Sequence, residues 1–341
     1  MKRKTLVSLI ALAVTLMLVL SGCGKTTEPS TKPVESTEKN AGPTVNYPTK
    51  TITMVVGNAA GGGSDVCARL LAQYLQDELG CTVVVTNNPT GSGEAAFIQV
   101  SQSNKDGYTI GFMHAGQALA TLTRDTKYDL NKDVDFVAMQ TSEPRVLVIR
   151  ADETRFTDYP SFAKYAKENP EQLIITDSGV NGNEHLANEA IQYYGDYKLT
   201  VLHTNGTAEG KAQLLGGHVD AVMMSLAEAY PMYTEKTGKL IALTADDRHT
   251  AIPDVPTLKE MGVDFSVDVY RGLYIAKDTP EEIIKILSDA VGKVSQNKEY
   301  IEALAKLTLA PKYQDYQTFR KSVFEDLEGK KDFLKTIGWI K

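Results

Sequence analysis

Apolar residues in this chain follow two alternating patterns. Short runs rich in β-branched residues read as buried strands: "TITMVV" (51–56), "TVVVT" (82–86), "YTIGFM" (108–113), "RVLVIR" (145–150), "QLIIT" (172–176), "LTVLH" (199–203), "VDAVMM" (219–224), "KLIALTA" (239–245) and "GLYIAK" (272–277). Between them lie stretches with helical spacing, at 64–80, 94–103, 160–170, 183–195 and 207–217. From Pro280 the tail is helical in pattern: "PEEIIKILSDAVGKVSQ", "KEYIEALAKL" and "YQTFRKSVFEDLEGKKDFLKTIG". Strand–helix alternation of this kind predicts an α/β protein with largely parallel sheets.

The helix over 64–80 shows the detail available from pattern alone. Ser64 or Asp65 is placed to cap it, Val66, Leu70, Leu71, Leu75 and Leu79 form its apolar stripe, and Gly80 ends it. It also separates Cys67 from Cys81. Fourteen helical residues span about 21 Å, and a disulfide needs Cα atoms within about 7 Å. Two free thiols are therefore expected, with Cys67 packed rather than reactive.

The N-terminus follows another logic. "MKRK" is a basic start and "TLVSLIALAVTLMLVL" an apolar stretch of sixteen residues, short of the roughly 20 that span a bilayer. Residues 1–22 read as a secretory signal peptide. The "LSGC" that ends it looks like a bacterial lipobox, which makes Cys23 the lipidated residue of the mature chain. Residues 23–46 are then a tether rich in Thr, Ser, Pro, Lys and Glu, with too little to bury for a fold. The expected location is extracytoplasmic, lipid-anchored to the bacterial cell membrane.

Composition narrows the function. The hydrophobic and charged fractions, 42% and 23%, are those of a globular protein, and the net charge of −7 offers no basic face to nucleic acid. Loss of Lys2, Arg3 and Lys4 with the signal takes that charge from −7 to −10.

"GNAAGGGSD" (57–65) follows the first strand and holds the densest glycine in the chain. Against G-x-x-x-x-G-K-[ST], Gly57, Gly62 and Ser64 fit, but Gly63 stands where a phosphate-binding lysine belongs. Against G-x-G-x-x-G, Gly61 and Gly63 fit, but the third position is Val66. Neither nucleotide motif holds. Consecutive glycines before a helix still leave backbone N–H groups free to converge on an anion. "TNNPTGSGEAA" (86–96), "TDSGVNGNEHLA" (176–187) and "HTNGTAEG" (203–210) are junctions of the same kind, and strand C-terminal ends are where open α/β sheets bind ligands.

Taken in order, these stretches resemble the substrate-binding proteins of tripartite tricarboxylate transporters, the TctC or Bug family. The resemblance rests on "YPTKTI" (47–52), "GNAAGGGSD", "NNPTGSG", "DGYT" (106–109), "LLGGHVDA" (214–221), "PDVPTLKEMG" (253–262) and "YRGLYIAKDTPEEII" (270–284). It implies a type II periplasmic-binding-protein fold, two α/β lobes with a ligand cleft between them: lobe 1 at 47–150 plus 270–341, lobe 2 at 151–269. By the same resemblance the ligand-binding residues are Ala60, Gly61, Gly62, Gly63, Ser64 and Asp65, with Gly91, Ser92 and Gly93 beside them. In lobe 2 they are Ser178, Gly179, Asn181, Gly182 and Asn183, then Thr204, Asn205, Gly206 and Glu209, and Ser225 in "MMSLAE". Arg271 is the one cation beside a family-like cleft segment.

The resemblance further implies capture of a small carboxylate (a di- or tricarboxylate, an aromatic acid or an amino acid) and its delivery to membrane permease subunits. A monomer without cofactor is expected. Three departures from the family pattern bear on the ligand: Ala60 stands for a loop proline, Asn88 for an arginine, and Thr204–Asn205 for a tyrosine–lysine pair. Fewer cations argue against a full tricarboxylate, and the acids Asp65, Glu94, Glu184 and Glu209 would also suit an amino group. Helix-dipole complementation is the simpler role for Glu94 and Glu184.

Catalysis has little to stand on. H-E-x-x-H, G-x-S-x-G and close-spaced Cys/His sets are missing, and no metal site is expected. His114, His185, His203, His218 and His249 are scattered, His185 alone following a glycine loop. The alternative to a transport receptor is a ligand-sensing or structural surface lipoprotein, with a secreted hydrolase behind it.

Overall fold

The computed structural model describes residues 45–341; the signal peptide, Cys23 and the tether to Thr44 lie outside the described residues. The chain opens with β1 (Ile52–Val56), α1 (Gly63–Leu79), β2 (Val83–Asn87), α2 (Glu94–Ser101), β3 (Thr109–His114) and α3 (Ala115–Thr123). It continues through β4 (Val134–Glu143), β5 (Arg145–Arg150), α4 (Tyr159–Glu168), β6 (Ile174–Asp177), α5 (Asn183–Gly195), β7 (Thr200–His203) and α6 (Thr207–Leu215). The remainder is β8 (Ala221–Ser225), α7 (Leu226–Thr234), β9 (Gly238–Leu243), β10 (Val269–Ala276), α8 (Glu281–Val294), α9 (Lys298–Lys306), β11 (Pro311–Gln314) and α10 (Tyr316–Thr336). Among the described residues no helix is long and apolar enough to cross a membrane.

The strands form two mixed sheets. One has six strands in the order β11-β4-β10-β3-β1-β2, the other five in the order β7-β6-β8-β5-β9. β1 pairs in parallel with β2 and β3, and β6 with β7 and β8, whereas β10 and β5 run antiparallel to their neighbours. Each sheet is covered on both faces. Leu71, Leu75, Leu287 and Tyr300 of α1, α8 and α9 pack on one side of the first, and Phe97, Ala118 and Phe319 of α2, α3 and α10 on the other. Phe162, Leu186 and Ile191 of α4 and α5 cover one face of the second, and Leu214, Ala229 and Met232 of α6 and α7 the other. Close approach decides one glycine: a Cβ at Gly111 would lie 2.0 Å from Cζ of Tyr274.

The chain passes between the sheets at Pro144, between β4 and β5, and returns between β9 and β10. Strand 145–150, which the family resemblance puts in the first lobe, pairs with β8 and β9 in the second sheet, so the crossing falls before it rather than after. α10 makes a third connection. Its start packs Phe319, Val323 and Leu327 against the first core, and its end buries Phe333 and Leu334 in the second.

Two local expectations for α1 are corrected. The N-cap is Gly62, with Ser64 and Asp65 buried in the first turn. Val66, expected on the apolar stripe, is 37% exposed, because the buried face runs through Cys67, Ala68, Leu71 and Leu75 instead. Both thiols are free, Cys67 buried and Cys81 half-buried.

Candidate functional site: the cleft between the sheets

Small-molecule pockets usually enclose about 300–1,000 Å³, and a cavity of about 860 Å³ opens between the two sheets. The first sheet contributes the loop after β1, with Asn58, Ala59, Gly61, Gly62, Gly63 and Ser64, joined by Val66, Cys67 and His114. The second contributes Ser178, Asn183 and Glu184, then Asn205, Gly206 and Thr207, and Ser225, Ala227 and Glu228. Glu143, Arg145, Val269 and Arg271 come from the crossing segments, and Lys306, Leu307 and Leu309 close one side.

Three helices open onto this space with glycine caps. α1, α5 and α6 have Gly62, Gly182 and Gly206 as N-caps, and none makes a side-chain cap hydrogen bond. Other helices are closed by side chains: α4, α9 and α10 by Asp158, Asn297 and Asp315, and α3 and α7 by His114 and Ser225, which themselves line the cavity. The amides of Gly63 and Ser64, Asn183 and Glu184, and Thr207 and Ala208 make no backbone hydrogen bond to the described residues. Orphan first-turn N–H groups with the positive helix end behind them attract an anion.

Charge on the crossing segments is dense. Both Nη atoms of Arg271 donate to Glu143 Oε2 at 3.1 Å, Arg145 Nη1 lies 3.8 Å from the same oxygen, and Ala227 N–H donates to Glu143 Oε1 at 2.9 Å. Burial alone would raise the Glu143 pKa, but Arg145, Arg271 and the Ala227 amide outweigh it and hold the carboxyl below its ordinary range. Arg145 Nε is 3.0 Å from Glu184 Oε1, yet its N–H does not point at an acceptor. Nε and Nη1 of Arg145 and Nε of Arg271 are buried donors without a hydrogen bond. His114 stays neutral: burial, then the Arg271 and Arg145 charges, push its pKa down to about 3.

Of the residues expected to bind ligand, Gly61, Gly62, Gly63, Ser64, Ser178, Asn183, Asn205, Gly206, Ser225 and Arg271 line the cavity. The others do not. Ala60 yields its place to Ala59. Asp65 turns back into its loop, accepting from Gly61 N, Arg69 Nε and Asn87 Nδ2 at 2.8–3.0 Å. Gly93 is packed behind the first loop, where a Cβ would be 2.7 Å from Gly57 O, and Gly91 and Ser92 are exposed outside the cavity. Gly179 N–H donates to Asp177 Oδ1, Asn181 N–H to His185 Nδ1, and Gly182 caps α5. Thr204 is buried with its hydroxyl on Asp177 O, and Glu209 accepts from Asn205 N–H. Sequence reasoning misses Glu143, Arg145, His114, Glu228 and Lys306. Glu228 lies in the "MMSLAE" stretch already read as cleft-facing with Ser225, and for Glu143 and Arg145 the signal is "EPR" (143–145), charges flanking a proline inside an apolar region.

The sequence profile described as "Tripartite tricarboxylate transporter family receptor" matches residues 67–339. The chain belongs to this family. As a member of the tripartite tricarboxylate transporter receptors it is a solute-binding receptor with the periplasmic-binding-protein fold. A curated relative, the "UPF0065 protein in gbd 5'region" of Cupriavidus necator, is 31% identical over 300 residues, covering 86% of this chain and 90% of the relative. Among solved structures, a TctC solute-binding protein from Polaromonas aligns at 27% identity with a TM-score of 0.74, covering 85% of this chain and 99% of its own. MatC from Rhodopseudomonas palustris, solved with bound malate, aligns at 26% identity and a TM-score of 0.70, covering 84% and 99%.

Proposed function

We propose that this receptor captures a small carboxylate in the cleft between its sheets and hands it to membrane permease subunits. The observation that carries the proposal is the set of three glycine-capped helix ends whose first-turn amides are free to receive an anion. The bound malate of MatC supports the same ligand class. Gly61 to Ser64, Ser178, Asn183, Asn205 and Gly206 form the carboxylate cradle, with the unpaired N–H groups of Arg145 and Arg271 beside it. Ligand that touches both sides favours the closed arrangement, and differential affinity for that form drives closure. The lobes divide at Pro144. The receptor acts extracytoplasmically as a monomer held by lipid on Cys23, with residues 24–46 as its tether, and it performs no catalysis.

A second ligand reading rests on charge balance. Glu143, Glu184 and Glu228 face Arg145, Arg271 and Lys306 around the cavity, which suits a solute carrying an amino group as well as a carboxylate.

A thermal-shift panel of di- and tricarboxylates, aromatic acids and amino acids tests both. Ligand at one hundred times its Kd adds about 2.7 kcal/mol to stability. Gly63→Val is the control: its Cβ would lie 3.6 Å from Arg271 Nη2, so the larger side chain intrudes on the cradle. The cradle predicts loss of the shift in a folded Gly63→Val protein. An unchanged shift there refutes the cradle, and a panel without any hit refutes the carboxylate class.

A further inference from the structure

Three residues that the sequence scatters meet behind the cleft. Asp177 ends β6, His203 ends β7, and the parallel register sets them side by side. His185, in the first turn of α5, brings its ring within 4.4 Å of His203, centroid to centroid. One ligand-capable atom from each of Asp177, His185 and His203 lies within 4.8 Å of the others. None of the three lines the cavity.

The Asp177 side chain is fully buried, and among the described residues its only ion-pair partner is His203, whose Nδ1 is 2.9 Å from Oδ1. No lysine or arginine among them compensates it. A buried carboxylate needs a cation or a full set of donors. Gly179 N–H on Oδ1 and Asn188 Nδ2 on Oδ2 supply dipoles and hold the carboxylate in place. The His203 side chain is 31% exposed, which opens a path from solvent. Glu189 Oε1, 3.4 Å from His185 Nε2, adds a further oxygen at the rim.

We propose that Asp177, His185 and His203 bind a first-row divalent cation, with Zn²⁺ the best match to two imidazoles and a carboxylate. The metal takes the place of the proton that His203 Nδ1 shares with Asp177, and small side-chain rotations bring the donors to about 2.0–2.2 Å from it. His185 has Nδ1 on Asn181 N–H and Nε2 beside Glu189, so coordination through either nitrogen costs one contact. Asp177 also ties together the two cleft loops, through Gly179 N–H and through its carbonyl, which accepts the Thr204 hydroxyl at 2.6 Å. Occupancy of the site is thereby linked to the loops that carry Ser178 and Asn205.

Trp339, the only tryptophan in the chain, stands 4.6 Å from His185 between ring centroids and reports on the site. The test titrates the purified, solute-free full chain with Co²⁺, reading tryptophan emission, and then adds Zn²⁺. The expected result is saturable quenching at micromolar Co²⁺, reversal by Zn²⁺, a rise in Tm with Zn²⁺, and loss of all three in His203→Ala. His203→Gln, which keeps a hydrogen bond available to Asp177, separates metal loss from misfolding and should behave as His203→Ala. Flat emission with an unmoved Tm, or quenching that persists in both variants, overturns the proposal and leaves the three residues as a hydrogen-bonded scaffold. Because no solute is present, the result is independent of the carboxylate reading.

Discussion

Replacing Arg271 with methionine removes the hydrogen-bonding cation from a carboxylate that has almost no access to water. Glu143 is 2% exposed, and both Arg271 Nη atoms sit 3.1 Å from its Oε2. What remains is Arg145 Nη1 at 3.8 Å and the Ala227 N–H at 2.9 Å. Removing one member of a buried pair costs about 3–5 kcal/mol. The surviving partners place Arg271→Met at the lower end, about 3 kcal/mol, equivalent to a Tm loss of about 5 °C at about 2.1 cal/mol/K of unfolding entropy per residue over residues 45–341. In Glu143→Gln the new amide keeps an oxygen for the Ala227 N–H while the charge is gone. Combined with Arg271→Met, it should therefore recover about 2 kcal/mol against the sum of the single variants. The pH dependence has a definite sign. The folded pKa of Glu143 lies below its ordinary value, so its contribution is present above the unfolded pKa and is lost as pH falls through the folded one. In Arg271→Met the carboxyl protonates more readily, and a neutral carboxyl needs no cation; the deficit should therefore shrink between neutral pH and about pH 4. Urea denaturation of the four proteins at both pH values measures these quantities. Additive single effects, within about 0.3 kcal/mol, or a deficit that does not change with pH, would refute the account.

Three further outcomes follow from other contacts. His114, with a folded pKa of about 3, binds its proton only in the unfolded chain between about 6.5 and 3, so it should lower stability by up to about 1.4 kcal/mol per pH unit on acidification; His114→Gln should show a shallower acid slope in equilibrium unfolding. Gly111→Ala forces a methyl onto the Tyr274 ring and should cost about 1–3 kcal/mol or more, read as a lower urea midpoint with an unchanged slope. In a Cys23→Ser background a thiol reagent should label half-buried Cys81 in the folded protein and Cys67 only after unfolding, since burial raises the pKa of both and also shields Cys67.

Most strands and helices are readable because each has one or two uniformly buried faces. "TITMVV" and "RVLVIR" carry that pattern in their own letters, and their strands, β1 and β5, fall where it puts them. β4 escapes a reading of this kind, although nearly all of it is buried. "VDFVAMQTSE" mixes acids and an amide into an apolar run, and these polar side chains find partners far along the chain, as Gln140 Nε2 does in donating to the Tyr300 hydroxyl. β11 is four residues at a sheet edge, none of them buried, with no hydrophobic signal to find. α7 carries Pro231 within it, which argues against a helix on local grounds. The lobe boundary at 150 rests on the family resemblance, and the letters of β5 could not have moved it: they report how deeply the strand is buried, not that it pairs with β8 and β9.

The site divides along the same line. Backbone chemistry is local, so a loop that leaves amides free announces itself by glycine, and Gly62, Gly182 and Gly206 can be found by reading. Even there, local pattern does not separate a loop that faces ligand from one that lets backbones touch, as Gly93 does against Gly57. Side-chain chemistry in and behind this cleft is not local. Glu143 meets Arg271 across 128 positions, and Asp177 meets His203 across 26, each brought together by strand register rather than by spacing. A charged residue embedded in an apolar run must find a partner when the chain folds, whatever its distance in sequence. "EPR" at 143–145 and the arginine inside the wholly buried β10 are two halves of one requirement. The physical trace of this cleft in the sequence is therefore the pairing of charges that cannot stay buried alone, as much as the glycines that mark its rim.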